Sequence, residues 1–265
     1  MHAVPGRVPG PGEQRQRRVR EAVRGAAPQR GVAARDVQLL NGSAIDSLAP
    51  GVALLRGFAA PTGPLVTLID DIARLAPFRK LHTPGGRPLS VRMTACGPLG
   101  WHSDARGYRY VTEDPGTGRP WPAMPARFRD LAVGAAAAAG FPGFEPDACL
   151  VNRYEPGARM GAHRDADEQD FTQPIVSVSI GLPAVFEWFG ARRGGTPLRV
   201  TLLDGDVLVW GSEARLGYHG IRPLAAPEPP DLLAATESRA GSQGVQRADG
   251  QWAALRYNLT FRRAA

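Results

Sequence analysis

The sequence predicts a mainly β fold, a sandwich or jelly roll with helices buttressing one of its sheets. Three observations carry this reading. From about Cys149 the apolar residues leave a helical period for a period of two or short continuous runs: Leu150–Tyr154, Ile175–Ile180, Val185–Trp188, Leu198–Leu203, Val207–Trp210 and Ala253–Phe261. Turn chemistry such as Asp204-Gly205-Asp206 joins them, which is the spacing of a sandwich or jelly roll. Helical periodicity is confined to the upstream part, so the helices form a layer of their own.

Taken in order, residues 1–46 are rich in Arg, Gly, Pro and Gln and poor in large apolar side chains, the composition of a disordered tail. It reads as solvated, with a nucleic-acid-binding arm as the alternative. A single folded domain is expected over residues 47–265, with its core beginning near Gly51. Over Pro64–Leu75, the residues Leu65, Leu68, Ile69, Ile72 and Leu75 mark one helical face, with Thr62 as candidate cap and Pro64 in the first turn. A second helix over Ala126–Ala139 is favoured by alanine and stopped by Gly140 and Pro142. Between Pro223 and Gln251 a stretch rich in Pro, Ala, Gly and Ser interrupts the strands; it reads as a long loop over about 225–250.

Composition narrows the class further. A chain of 265 residues, 43% apolar, buries a full-sized core. Cys96 and Cys149 cannot make a disulfide framework, so both read as buried thiols in a reducing compartment. With no apolar run of membrane-spanning length and no signal-peptide stretch, the expectation is a soluble cytoplasmic protein with no membrane partner. Monomer is the default state. The net charge of +7 suits a polyanionic partner, but eight arginines against four acids place +4 of it in residues 1–46. Lys80 is the only lysine, a bias that a GC-rich genome also produces. Charge alone therefore does not select nucleic acid.

Chemistry concentrates at Met160–Asp167, where His163, Asp165 and Asp167 stand at i, i+2 and i+4 and share one face of an extended backbone. A second histidine, His219, follows in Tyr218-His219-Gly220. Two imidazoles and a carboxylate can cap one face of an octahedral iron(II), leaving three positions for a chelating co-substrate and oxygen. Alone, His-x-Asp is common and reads equally as a loop histidine beside an acidic turn. The C-terminal strand changes the balance. Period two puts Arg256, Asn258, Thr260 and Arg262 on one face and Tyr257, Leu259 and Phe261 on the other. Two buried guanidinium groups need an anion or open water, and a dicarboxylate fits; the alternative is the exposed face of an edge strand. Asn152 and Tyr154 add hydrogen-bond donors on a common side of their own strand.

Pro77-Phe-Arg79, Thr83-Pro-Gly-Gly86, Leu99-Gly-Trp101, Gly107-Tyr-Arg-Tyr110, Pro120–Pro125, Pro146–Tyr154, Pro174–Pro183 and Arg256–Arg262 together resemble the AlkB family, in order over roughly residues 50–265. The resemblance implies a double-stranded β-helix holding iron(II) on His163, Asp165 and His219, which would make these the catalytic centre. It further implies 2-oxoglutarate chelating the iron among Asn152, Tyr154, Arg256, Asn258 and Arg262, with O2 as the second substrate. A guanidinium fork suits a carboxylate better than an ammonium does. Spacing does not choose between the two arginines; in the family the first, Arg256, takes the distal carboxylate.

The implied reaction is oxidative dealkylation of 1-methyladenine and 3-methylcytosine in single-stranded or flipped-out DNA, and to some extent RNA. It releases formaldehyde, succinate and CO2 and restores the base, a direct-reversal DNA repair. In the family pattern Trp101 stacks on the lesion opposite the His163 ring, Asp167 faces the cationic base, and Thr83, Met93 and Tyr108 lie on the recognition flap. Met93 and Tyr108 on their own read as core packing. The Arg-rich tail and the 225–250 loop depart from the family and inherit no role. Two rivals remain: an oxygenase acting on protein or a small molecule, which needs no aromatic clamp, and a non-catalytic nucleic-acid-binding module, which needs no open-sided metal site.

Overall fold

In the computed structural model of this chain, residues 45–227, 244–246 and 252–265 are described. The described chain opens with β1 (Ile45–Ala49) and β2 (Val52–Leu55), followed by helix α1 (Gly63–Leu75), β3 (Arg79–His82) and β4 (Pro88–Cys96). Two hairpins come next, β5 (Gly100–Asp104) with β6 (Gly107–Val111) and β7 (Glu113–Asp114) with β8 (Arg119–Pro120), and then helix α2 (Ala126–Ala138). The following strands are β9 (Ala148–Tyr154), β10 (Met160–His163), β11 (Ile175–Gly181), β12 (Ala184–Gly190), β13 (Leu198–Leu202), β14 (Val207–Trp210) and β15 (Tyr218–Ile221). A short pair, β16 (Val245–Gln246) and β17 (Trp252–Ala253), precedes the last strand, β18 (Arg256–Arg262).

Hydrogen bonding collects these into an antiparallel sheet of order β1-β2-β14-β11-β18-β9-β4-β3 and a smaller one of order β10-β15-β12-β13. The sheets face one another as a jelly roll, and α1 and α2 cover the outer face of the large sheet. Alternation explains the layering. In β14, Val207 and Val209 pack with the helices while Leu208 and Trp210 meet Phe186 and Trp188 of the small sheet. In β18, Tyr257, Leu259 and Phe261 enter the helix-side core, where Phe128 of α2 meets Phe261 edge-on at 6.1 Å. Each such side chain contributes roughly 1.5–3 kcal/mol by leaving water. Because β18 lies between β11 and β9, it is not an edge strand, and its polar face looks into the space between the sheets.

Several boundaries differ from expectation. β1 takes in Ile45 and Asp46, the last two residues of the segment read as a tail; the rest of that segment lies outside the described residues. Within the expected loop, β16 pairs with β17 and Val245 is buried in the main core, while residues 228–243 and 247–251 lie outside the described residues. The run Ala253–Phe261 is accordingly two strands. In α1, Val66 is buried and Leu75 exposed, which places Leu75 past the edge of the face that meets the sheet. Thr62 precedes α1 but does not cap it with its side chain, because its backbone is already helical. Its hydroxyl instead donates to Asp204 at 2.9 Å, and Asp204 also accepts the Gly181 N–H at 2.7 Å. α2 ends as expected: Gly140 takes φ +88° and the Phe141 N–H returns to the Ala136 carbonyl at 2.8 Å. Cys96 and Cys149 are free, buried and opposite one another across β4 and β9. Among the described residues no helix is long and apolar enough to cross a membrane.

Candidate active site

β10 and β15 pair so that His163 and His219 are cross-strand partners, which brings both rings to one side of the small sheet with centroids 4.4 Å apart. Gly220 permits this approach, since a Cβ there would come within 2.9 Å of the Met160 carbonyl oxygen. Each imidazole is oriented from behind. Nδ1 of His163 lies 3.0 Å from the Gly161 carbonyl and Nδ1 of His219 lies 3.0 Å from the Gly217 carbonyl. With Nδ1–H donating, each Nε2 keeps its lone pair for a ligand. Both Nε2 atoms point toward Asp165, at 3.8 Å from Oδ1 and Oδ2 respectively.

The three ligating atoms lie within 4.8 Å of one another, too far for hydrogen bonds and close enough to share one ion. Protonation suits the same purpose. Burial, reinforced by the neighbouring His163, brings His219 down to about 4, so it is neutral at pH 7. Burial raises the Asp165 pKa, but Arg262, and then His219 and His163, outweigh it and hold the carboxyl well below its ordinary range. A neutral His219 imidazole and an ionised Asp165 carboxylate are donors of the kind that iron(II) takes.

β18 and β9 supply a second centre. Arg256 is wholly buried, donating to Ser179 Oγ at 2.7 Å and the Leu182 carbonyl at 3.3 Å, while its Nε has no hydrogen-bond partner. No carboxylate lies within ion-pairing distance of it among the described residues. Burial lowers its pKa to about 10, which leaves it charged at neutral pH. Beside it, Asn152 donates to Asn258 Oδ1 at 3.2 Å, and Asn152 Oδ1 is buried without a partner. Asn258 is fixed by Ser177 at 2.8 Å and by the Thr260 hydroxyl at 2.9 Å. Tyr154 is buried, and that burial pushes its phenol up. Arg262 differs: its guanidinium lies 2.9 Å from Asp165 Oδ2 and 3.3 Å from Glu168 Oε1. Of the two stripe arginines, then, only Arg256 lacks an internal carboxylate, and an external dicarboxylate fits the gap.

The β5–β6 hairpin forms the opposite wall. Trp101 stacks on Tyr108 with centroids 5.6 Å apart and planes 14° apart, and its Nε1 donates to Asp167 Oδ2 at 2.9 Å. Burial raises the Asp167 pKa against the opposing effect of that bond. Tyr108 is 47% exposed, an aromatic ring presented to solvent. Met93 is buried on β4 opposite Asn152, and Thr83 caps the β3–β4 turn by accepting the Arg87 N–H at 3.2 Å.

A single cavity of about 560 Å³ is lined by every residue singled out from sequence: Thr83, Met93, Trp101, Tyr108, Asn152, Tyr154, His163, Asp165, Asp167, His219, Arg256, Asn258 and Arg262. Sequence reasoning missed the groups behind it. Glu168, 1% exposed, accepts the Tyr110 hydroxyl at 2.7 Å and lies 3.2 Å from the buried Arg215. Read linearly, Glu168 is one more acid in a polar run; only burial separates it from its neighbours.

Comparison with known proteins agrees with this geometry. Residues 51–262 match the family model described as the 2OG-Fe(II) oxygenase superfamily. The chain is 48% identical over 223 residues to the alpha-ketoglutarate-dependent dioxygenase AlkB of Salmonella typhimurium, and 47% identical over 220 residues to that of Escherichia coli. Each alignment covers 83% of this chain and 93% of the relative. A Caulobacter vibrioides AlkB homolog is 43% identical over 74% of this chain and 87% of its own. Among solved structures, that of OsALKBH1 aligns with a TM-score of 0.67 at 25% identity, covering 82% of this chain and 99% of the other. A superfamily whose members share iron(II), 2-oxoglutarate and O2, and relatives this similar over this much of their length, fix the assignment: this chain is an iron(II)- and 2-oxoglutarate-dependent dioxygenase of the AlkB family.

Proposed function

We propose that the chain removes alkyl groups oxidatively from alkylated bases, 1-methyladenine and 3-methylcytosine foremost, in single-stranded or flipped-out DNA and also in RNA. It would act as a monomer in the cytoplasm, with the domain that opens at β1 as the working unit. In this reading His163, Asp165 and His219 hold iron(II), and Arg256 receives the distal carboxylate of 2-oxoglutarate with Asn152, Tyr154 and Asn258 beside it. Arg262 serves the same site by holding Asp165 ionised. Iron(II) and 2-oxoglutarate together supply an oxidant for C–H bonds when O2 is present.

The chain's own residues decide what that oxidant meets. One observation carries the reading: a single cavity joins the imidazole–carboxylate cluster, an unmatched buried guanidinium and the Trp101–Asp167 pair. Trp101 offers a flat face to a base, and its bond to Asp167 fixes both the ring plane and the carboxylate. A carboxylate beside that plane favours a base made cationic by N-alkylation over the neutral base. Thr83, Met93 and Tyr108 border the space into which a flipped nucleotide would enter. The small-molecule or protein alternative leaves this pairing without a task, and the relatives named AlkB and the "Nucleic acid dioxygenase ALKBH1" of Mus musculus support the nucleic-acid reading.

The test is anaerobic reconstitution with iron(II) and 2-oxoglutarate, followed by O2 and single-stranded oligonucleotides carrying 1-methyladenine or 3-methylcytosine. Formaldehyde and unmodified base should appear in equal amounts. Consumption of 2-oxoglutarate on another substrate, with no base restored in any oligonucleotide, would refute the assignment.

A further inference from the structure

Asp165 and Asp167 both sit in residues 164–174, which belong to no helix or strand. An irregular segment of this length depends on side-chain bonds to hold a ligand in register. Arg215, directly after the 3-10 turn Ser212–Ala214, reaches into that segment from behind, with its side chain 2% exposed. Its guanidinium donates to the Asp165 carbonyl at 3.1 Å and to the Gln173 carbonyl at 2.9 Å, and lies 3.2 Å from Glu168 Oε2. Phe171 covers it, ring centroid 5.4 Å from Cζ. One planar fork thus meets the segment near its start, its middle and its end.

We propose that Arg215 is a positioning residue for the metal centre. It fixes the backbone at Asp165 so that the carboxylate meets His163 and His219, while touching neither substrate nor metal. The inference rests on reading those three residues as iron ligands. Arg262 grips the Asp165 carboxylate directly, but a carboxylate can be gripped in the wrong place if its backbone drifts. Arg215 supplies the complementary restraint. Its polar contacts are with the ligand segment and not with either sheet or helix, which is the pattern of a local brace rather than of a core-filling side chain.

Arg215→Lys keeps a positive charge for Glu168 but cannot span two carbonyls and a carboxylate. Titrated with Mn(II) alone, without 2-oxoglutarate or O2, and followed by the resonance of the free ion, the variant should bind about 10–100-fold more weakly than wild type. Backbone hydrogen exchange should quicken in residues 164–174 while β9, β11 and β18 keep their protection. Should Arg215→Lys not fold, the double variant Arg215→Met with Glu168→Gln removes both charges and avoids an unpaired one; it should show the same weakened binding. Unchanged Mn(II) affinity would overturn the proposal. So would exchange quickened throughout the domain, or failure of both variants to fold, since Arg215 would then support the whole chain. If wild type itself does not bind Mn(II), the ligand reading falls and this inference falls with it.

Discussion

Arg256 shows what a single residue can report. A guanidinium withdrawn entirely from water costs several kcal/mol unless an anion meets it, and here no side-chain carboxylate among the described residues does. In the proposed reading, the missing partner is the co-substrate's distal carboxylate. Arg256→Met, which keeps the volume and removes the charge, should raise the dissociation constant for 2-oxoglutarate on the order of 10²-fold, measured by calorimetry with Mn(II) present. Unchanged affinity would mean that another group takes that carboxylate. Asp167 allows a finer separation, because Asn retains an oxygen to accept the Trp101 Nε1 bond while losing the charge. Asp167→Asn should therefore lower turnover on cationic 3-methylcytosine about tenfold relative to a neutral alkylated base. Equal losses on both would show that Asp167 orients Trp101 and does not read charge.

Among the elements, the β7–β8 turn is held by one acid. Asp114 accepts from the Gly116 N–H at 3.0 Å and from the Thr117 hydroxyl at 3.1 Å, and forms a forked pair with Arg79 of β3, one arm of it 2.6 Å long. Burial raises its pKa, but Arg79 and the turn donors bring the net value below the ordinary one. A lowered folded-state pKa stabilises the protein above the unfolded value, near 3.9, and that contribution is lost as pH falls through the folded value. Asp114→Asn should then cost about 1–3 kcal/mol in urea unfolding at pH 7, with the gap to wild type closing below about pH 4. A gap that persists in acid would locate the contribution in shape, not charge. Such long-range pairs also mark what could be read from sequence. The alternation in β18, with its polar stripe from Arg256 to Arg262, was legible because period two is written locally, whereas β14 is apolar on both faces, so its run marked a buried strand without telling which residue meets which layer. Thr62 pairs with Asp204, and Glu168 with Tyr110, Arg215 and Arg262; each pairing joins distant segments and leaves no periodic trace. β16 was hidden for a related reason: a two-residue strand earns its place from Val245 in the core, not from any pattern of its own.

Across the whole molecule, the three proposed metal ligands draw on both sheets of the jelly roll. His163 and His219 belong to the small sheet, whereas Asp165 is held by Arg262, which belongs to the large one. An ion bound by all three would tie β10, β15 and the segment after β10 together in the folded state and find no such site in the unfolded chain. Binding of that kind stabilises by mass action: a hundredfold excess over the dissociation constant contributes about 2.7 kcal/mol. For a domain of this size, where 1 kcal/mol corresponds to roughly 2–4 °C, Mn(II) should raise the melting temperature by about 5–10 °C, and a chelator should reverse it. Asp165→Asn is the control, because it removes the ionised ligand while retaining the shape of the side chain. Its melting temperature should not respond to Mn(II). An equal rise in wild type and variant would place the ion elsewhere on the protein, and no rise in wild type would mean that the three residues, though gathered within reach of one another, do not hold it.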